Sequence, residues 1–169
     1  RRRFLRTEVH TTMARVVVLG AGVAGHTAAQ HLRRMLSKQH EVVVISPNSQ
    51  WNWIPSNIWV GTGRMDKSKV LFPLRPVYDK KGIIFHQAKA FEIYPEGRGE
   101  DETPVVKIEY TDPSKVGTTD FIAYDYLINA TGPKLNFDAT PGLGPDNGGN
   151  SLSVCTADHA DETQKELKK

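Results

Sequence analysis

The chain has a single cysteine, Cys155, among its 169 residues. That excludes an internal disulfide and any zinc site built from cysteines. It also has no apolar run approaching the ~20 residues that cross a bilayer as a helix, so contact with a membrane has to come from elsewhere. Charge of one sign is lacking as well: 22 basic side chains face 19 acidic ones, a formal net charge of +3. The basic residues are scattered except for Arg1, Arg2, Arg3 and Arg6, and without a basic stripe nucleic acid is not an expected partner. With 38% hydrophobic residues, the chain has material for a core of ordinary domain size.

What is present is organised around Arg15-Val-Val-Val-Leu-Gly-Ala-Gly-Val-Ala-Gly25, an apolar run that enters glycines at the G-x-G-x-x-G spacing. Residues 16–19 read as a strand covered on both faces by helices. Gly20 makes the tight turn, Gly22 lets backbone approach a pyrophosphate, and Gly25 lets the next helix pack on the strand. That helix begins near Gly22 and points free N–H groups and its positive dipole end at the phosphates. Ala28, Ala29, Leu32, Met35 and Leu36 recur at helical spacing, while Arg33, Arg34 and Lys38 sit where a helix C-terminus favours cations. Residues 41–45, Glu-Val-Val-Val-Ile, supply the next strand and most of a βαβ unit.

An acidic residue is expected about 20 positions after the last glycine to hold ribose hydroxyls, and here it is missing. Ser46 stands there, with Asn48 close by, and a neutral hydroxyl binds ribose less strongly than a carboxylate. Residues 47–63 carry Trp51, Trp53 and Trp59 in a loop too apolar to be only a solvated connection. Two readings stand side by side: a flap over the core, or a wall against a flat ring system. Residues 70–80 read as a helix stopped by Lys80-Lys81-Gly82, residues 82–86 as a short strand, and residues 88–94 and 104–111 as alternating strands of an antiparallel excursion. Residues 121–129 form a strand pair element that enters Ala130-Thr131-Gly132, a small-residue turn where backbone can again approach a nucleotide. A Gly- and Pro-rich linker over residues 141–150 precedes a last polar helix over residues 153–169, with Cys155 and His159 at its start. His26, His31, His40 and His86 have no partner pattern and read as structural.

The organisation expected is an extension over residues 1–12, an α/β domain with a parallel sheet over residues 13–150, and the start of a second domain or a linker helix over residues 151–169. Met13 is the expected biological start. Arg1-Arg-Arg-Phe-Leu-Arg6 resembles a twin-arginine export signal, but Thr7-Glu-Val-His-Thr-Thr12 follows where an apolar stretch belongs. Residues 1–12 are therefore read as cloning-derived or upstream-translated, with export as the alternative.

Several of these segments, taken together with Ile45-Ser-Pro47, Pro55-Ser-Asn57, Tyr124-Asp-Tyr-Leu-Ile-Asn-Ala-Thr-Gly132 and Ser153-Val-Cys-Thr-Ala-Asp-His-Ala160, resemble the sulfide:quinone oxidoreductases. These are FAD-dependent members of the pyridine nucleotide-disulfide oxidoreductase superfamily, beside the flavocytochrome c sulfide dehydrogenases. The glycine and Ala-Thr-Gly motifs belong to the whole superfamily; the stretch around Cys155 is more particular. The resemblance implies a Rossmann-like domain that holds the FAD pyrophosphate on Gly20, Gly22, Ala24 and Gly25, its ribose near Ser46, and its adenine at the strand around Lys89 and Ala90. Asn57 and the Ala130-Thr131-Gly132 turn are implied as further cofactor contacts. Cys155 matches a redox cysteine that passes sulfur and electrons between sulfide and flavin, with His159 beside it. Such chemistry needs the thiolate; the plainer alternative is an inert cysteine and a histidine that merely packs.

Family members are much longer, so the resemblance implies an N-terminal portion. Quinone acceptor, peripheral membrane contact and the partner of Cys155 would then belong to the remainder, and the portion alone is expected to be inactive. Two departures qualify the match. Residues 133–150 lack the cysteine common in this family, and Trp53, Ile54 and Pro55 stand where flavocytochrome relatives carry the cysteine that binds FAD covalently. Two other readings remain: an NADH:quinone dehydrogenase relative, which does not need Cys155, and a truncated nucleotide-binding module without catalysis.

Overall fold

The computed structural model of the chain describes residues 12–144 and 151–169. The expected extension thus lies outside the described residues apart from Thr12, as do residues 145–150 of the expected linker.

In chain order the elements are β1 (Arg15–Leu19), α1 (Val23–Met35), β2 (Glu41–Ser46), β3 (Gln50–Asn52), α2 (Asn57–Gly61), β4 (Leu71–Pro73), α3 (Leu74–Lys81), β5 (Ile84–Tyr94), β6 (Val105–Tyr110), β7 (Thr119–Ala123), β8 (Tyr126–Asn129) and α4 (Ala157–Leu167). Six strands form one sheet in the order β7-β6-β5-β2-β1-β8. The pairs β1–β2, β1–β8 and β2–β5 are parallel, and β5–β6 and β6–β7 are antiparallel. This is a mixed α/β, Rossmann-like fold. The valine-rich sequences of β1 and β2 follow from their central place, since each has another strand on both sides and a packed layer on both faces.

The two faces are covered differently. Val18, Val42 and Val44 meet Ala21 and Ala29 of the α1 segment together with Leu74, Tyr78, Ile83 and Phe85. Val17, Leu19, Val43 and Ile45 meet instead Ala88, Val106, Ile108, Tyr110 and Ile122. The expectation of helices on both faces is corrected here: the second layer is the antiparallel ribbon β5–β7 curling over the parallel strands. β5 makes this possible because it is one long strand, not the two expected over residues 82–86 and 88–94. Its first part pairs with β2 and its second with β6, and a register shift between Ala90 and Glu92 bends it.

Three further expectations change. Residues 70–73 are not helical: Leu71, Phe72 and Pro73 pair antiparallel with Asn52, Trp51 and Gln50, and α3 begins only at Leu74. Its stop is the expected one, for Gly82 takes the left-handed conformation at φ 69° and sends its N–H to the Asp79 carbonyl. In α1 the apolar face is Gly25, Ala29 and Leu32; Met35 is 77% exposed and adds no burial. Finally, residues 121–129 divide at a turn into β7 and β8, which stand at opposite ends of the strand order: Asp125 receives the Arg15 N–H on its carboxylate and returns its own N–H to the Arg15 carbonyl.

Helix α4 packs on α2 through a small separate cluster of Val60, Val70, Ala157 and Ala160. Its first residue is Ala157, and Thr156 is the N-cap, accepting the His159 N–H on Oγ1 at 3.1 Å.

Candidate functional site

The C-terminal ends of β1, β2 and β8 converge on one edge, where a doubly wound sheet binds ligands. Gly20, at φ 93°, sends its N–H to the Ile45 carbonyl at 2.7 Å, and Ala130 sends its own to the Leu19 carbonyl at 2.8 Å. A Cβ on Gly20 would stand 2.4 Å from the Ala130 oxygen, and one on Gly25 would stand 2.0 Å from the Gly20 oxygen. Both glycines are therefore required by packing. Gly22 is different: nothing lies within 4 Å of where its Cβ would be, although it caps α1.

That open position is the one a pyrophosphate needs. No side chain caps α1 at Gly22 and its first turn holds no acidic residue, so no carboxylate offsets the leading N–H groups and the positive dipole end, which suit an anion. Ala24, on the exposed side of that first turn, adds no bulk. Ser46 ends β2 with its side chain buried and its Oγ 3.4 Å from the Asn48 amide, which donates. Thr131 folds back on Asn129, whose Oδ1 accepts from the Thr131 amide and hydroxyl, and Gly132 at φ 70° has open space beside it. Ala90 lies three residues beyond the Ser46–Gln87 pair, opposite Ile108 and partly buried against the inner layer. The structure thus gathers Gly20, Gly22, Ala24, Gly25, Ser46, Ala130, Thr131 and Gly132 on one edge, with Ala90 set back from it.

Asn57 does something else. It is fully buried, and its amide is spent on the protein: it exchanges hydrogen bonds with the Asn52 side chain at 2.9 and 3.0 Å and donates to the Val154 carbonyl at 3.1 Å. The side chain expected on the cofactor is instead a clamp between the tryptophan loop and the residue next to Cys155. Gly61 completes the seat, since a Cβ there would meet the Val154 side chain at 2.9 Å, and Thr163 donates to the Ser153 carbonyl at 2.9 Å. Asn52, Gly61 and Thr163 were not legible as site residues, because nothing local marks a pairing across 97 residues. Replacing Asn57 with Ala takes the donor from Asn52 Oδ1 and from the Val154 carbonyl in a buried place, while Asn52 Nδ2 keeps the Val70 carbonyl, so stability should fall by about 3 kcal/mol. Denaturant unfolding checks this; a loss below about 1 kcal/mol would mean water replaces the amide.

Cys155 is exposed and stands one residue before the Thr156 cap, its N–H donating to Ser153 Oγ at 3.1 Å. The expected place at the helix start is corrected accordingly. Thr156 takes one of the free amides of α4, and Asp158, in the first turn, is ion-paired with Lys67. His159 is the third residue of the helix, and its ring lies against Phe137, centroids 5.8 Å apart.

The tryptophan loop divides between its two readings. Trp51 stacks on Phe72 at 4.9 Å and on Trp53 at 5.6 Å and covers the core, as a flap does. Trp53, Ile58 and Trp59 stay 44%, 48% and 44% exposed, an uncovered apolar surface near the Asn57 clamp. His26 of α1 is enclosed by Trp51, Phe72 and Tyr78, with Nδ1 3.1 Å from the Tyr78 hydroxyl. Burial holds its pKa below the ordinary 6.5. The unfolded chain therefore takes up a proton that the folded one refuses, so this contribution to stability is complete above pH 6.5 and is lost as pH falls toward the lowered value. His26→Phe should flatten the dependence of unfolding free energy on pH in that window by up to one proton, as denaturation at several pH values will read. An unchanged slope would mean the ring is open to water.

Residues 14–169 match the pyridine nucleotide-disulphide oxidoreductase family. The chain belongs to that family. It is 35% identical over 153 residues to the sulfide-quinone reductase of Aquifex aeolicus (strain VF5), covering 90% of this chain and 31% of the relative. The solved sulfide:quinone oxidoreductase of the same organism superposes with a TM-score of 0.73 at 34% identity, over 92% of this chain and 32% of that one. The external alternative NAD(P)H-ubiquinone oxidoreductase B3 of Arabidopsis thaliana is 30% identical over 139 residues, 80% of this chain and 23% of the relative. NDH2 from Plasmodium falciparum, solved in complex with NADH, shares the fold at 20% identity and a TM-score of 0.67, over 90% of this chain and 28% of that one. The chain spans about a third of the length of the Aquifex relative or less of the others. No helix among the described residues is long and apolar enough to cross a membrane.

Proposed function

We propose that this chain is the FAD-binding part of a flavin-dependent oxidoreductase that takes electrons from sulfide and delivers them to a quinone. The observation that carries the cofactor is Gly22, open above an uncapped and acid-free helix start at the convergence of three parallel strands. Sulfide as donor is supported by the Aquifex likeness together with an exposed Cys155 held at a fixed place by Val154 and Ser153.

Bound FAD supplies a two-electron acceptor. The chain's own part is then to bind and to position. Gly20, Gly22, Ala24 and Gly25 let α1 meet the pyrophosphate, Ser46 offers a hydroxyl to a ribose, and Ala130, Thr131 and Gly132 bound the other side of the cradle. Ala90, lying deeper, borders the adenine. Cys155 is the sulfur carrier: in a disulfide with a cysteine from outside this chain it is opened by sulfide, one S–S bond forming as the other breaks, which leaves a persulfide on one sulfur and on the other a thiolate whose electron pair would go to FAD, and His159 stands one turn into the helix behind it. The Asn52–Asn57 clamp fixes the cysteine segment relative to the tryptophan loop, and Trp53 and Trp59 offer apolar faces to a ring. Residues 151–169 serve as the link to a second domain, and peripheral membrane contact belongs to parts of the full-length protein beyond this chain; the isolated chain is inactive.

The runner-up is NADH as the donor, favoured by the likeness to the plant NAD(P)H-ubiquinone oxidoreductases. Stopped-flow reduction of the full-length protein separates them. Rapid bleaching of the flavin by sulfide and slow bleaching by NADH is expected; the opposite order moves the assignment to an NADH:quinone dehydrogenase.

A further inference from the structure

Gln30, His31, Arg33, Arg34, Lys80 and Lys81 line a groove of about 340 Å³ between the last turns of α1 and α3. The α1 residues that line it, Gln30 to Arg34, come 8 to 12 residues after Gly22, so this groove lies about 12–18 Å along the helix from the Gly22 edge. No lining residue is acidic. Cations near helix C-termini are ordinary, since they offset the dipole and the free carbonyls, and Arg33 does this: its guanidinium donates to the Leu36, Ser37 and His40 carbonyls at 2.6–3.0 Å. The rest are not used in that way. Arg34 reaches only His31 Nδ1, at 2.8 Å, and among the described residues neither it nor Lys80 nor Lys81 has a carboxylate partner.

A second observation is independent of charge. Gln30 is a lining residue, and its side-chain NH2 is buried behind the lining with no acceptor among the described residues. A buried donor without a partner is rare in folded proteins and calls for an acceptor that the protein does not itself provide. Three cations without a carboxylate partner among the described residues, with an amide donor lacking an acceptor just behind them, share a single complement: a compact, multiply charged anion with oxygens in several directions. A phosphate group meets that description better than a monocarboxylate, and a guanidinium fork matches it geometrically.

We propose that this groove binds the phosphate oxygens of a small multiply charged anion, at a site separate from the nucleotide edge. It does not depend on which donor reduces the flavin. The phosphate can come from a free molecule or from a lipid headgroup, and the two are separated by two probes on the full-length protein.

Inorganic pyrophosphate is titrated calorimetrically into the wild type, Gly22→Trp, the double variant Arg34→Ala/Lys81→Ala, and Gln30→Leu. Saturable binding should survive Gly22→Trp, weaken at least about tenfold in the double variant, weaken in Gln30→Leu, and fall steeply with salt. In parallel, the proteins are sedimented with phosphatidylcholine vesicles with and without a phosphatidylinositol bisphosphate. Sedimentation that requires the phosphoinositide and is lost in the double variant assigns the site to a headgroup; pyrophosphate binding without sedimentation assigns it to a free ligand. Arg34 and Lys81 are exposed, so the double variant should fold, and circular dichroism verifies this. If neither probe responds to the loss of Arg34 and Lys81, or if pyrophosphate binding is lost only with Gly22→Trp, the groove is not an anion site.

Discussion

Gly22→Trp in the full-length protein should give a folded, colourless product, whereas Gly25→Ala should not fold stably at all. The two glycines stand three residues apart in one motif, yet the structure gives them opposite tolerances. A Cβ at Gly25 would lie 2.0 Å from the Gly20 carbonyl oxygen and 3.3 Å from the Ala130 Cβ. The first of these is backbone and cannot give way, so α1 would have to lift from β1 and uncover Ala29, Val18 and Val44. Overpacking of that kind should cost about 3 kcal/mol or more. At Gly22 the added side chain enters open space, so the fold is kept and only a ligand is displaced. The indole would fill the place above the α1 amides, and flavin content should drop below about a tenth of the wild type, since most of the pyrophosphate's contacts go with it. Visible absorption measures the flavin, and circular dichroism with denaturant unfolding measures the fold. Retained flavin in Gly22→Trp would place the pyrophosphate elsewhere; a stable Gly25→Ala would mean the helix and strand are not in close contact.

Cys155→Ser should lower the rate of flavin reduction by sulfide by about a thousandfold or more, because a serine can neither form the disulfide that sulfide opens nor carry the sulfane sulfur. The same change should alter stability by less than about 0.5 kcal/mol: the thiol is exposed, and the local hydrogen bond runs from the Cys155 N–H to Ser153 Oγ, which a serine preserves. A large kinetic loss with an unchanged fold separates a reacting thiol from one that merely packs. NADH, tested as a parallel donor, guards the interpretation. If the variant is reduced by sulfide as fast as the wild type, Cys155 carries no sulfur; if NADH reduces both forms rapidly and sulfide reduces neither, the donor is the nicotinamide.

The order of these effects depends on how the chain is read. The glycine motif and the stop at Gly82 were legible because each is a local code: a backbone conformation or a close approach that only glycine permits within a few residues of sequence. Valine-rich runs marked β1 and β2 as central for the same reason. The sequence pattern was ambiguous where a partner lies far away. Residues 71–73 have no strand signal strong enough to override the helical spacing around them, and it is pairing with residues 50–52 that makes them a strand. Asn57 read as a cofactor contact from its motif, and only its burial beside Asn52 and Val154 turned it into a clamp. The early start expected for the last helix ignored Thr156, whose hydroxyl caps His159 and leaves Cys155 outside.

By itself, then, the sequence determined the strand–turn–helix around Gly20, Gly22 and Gly25, since chain stereochemistry there allows few alternatives. Tertiary structure alone decided what covers the second face of the sheet, where the cysteine segment is anchored, and which cations lack a carboxylate partner among the described residues. Those outcomes depend on burial and on hydrogen bonds between residues up to 97 positions apart, and such energies are set by which surfaces meet, a quantity that no local pattern of residues encodes.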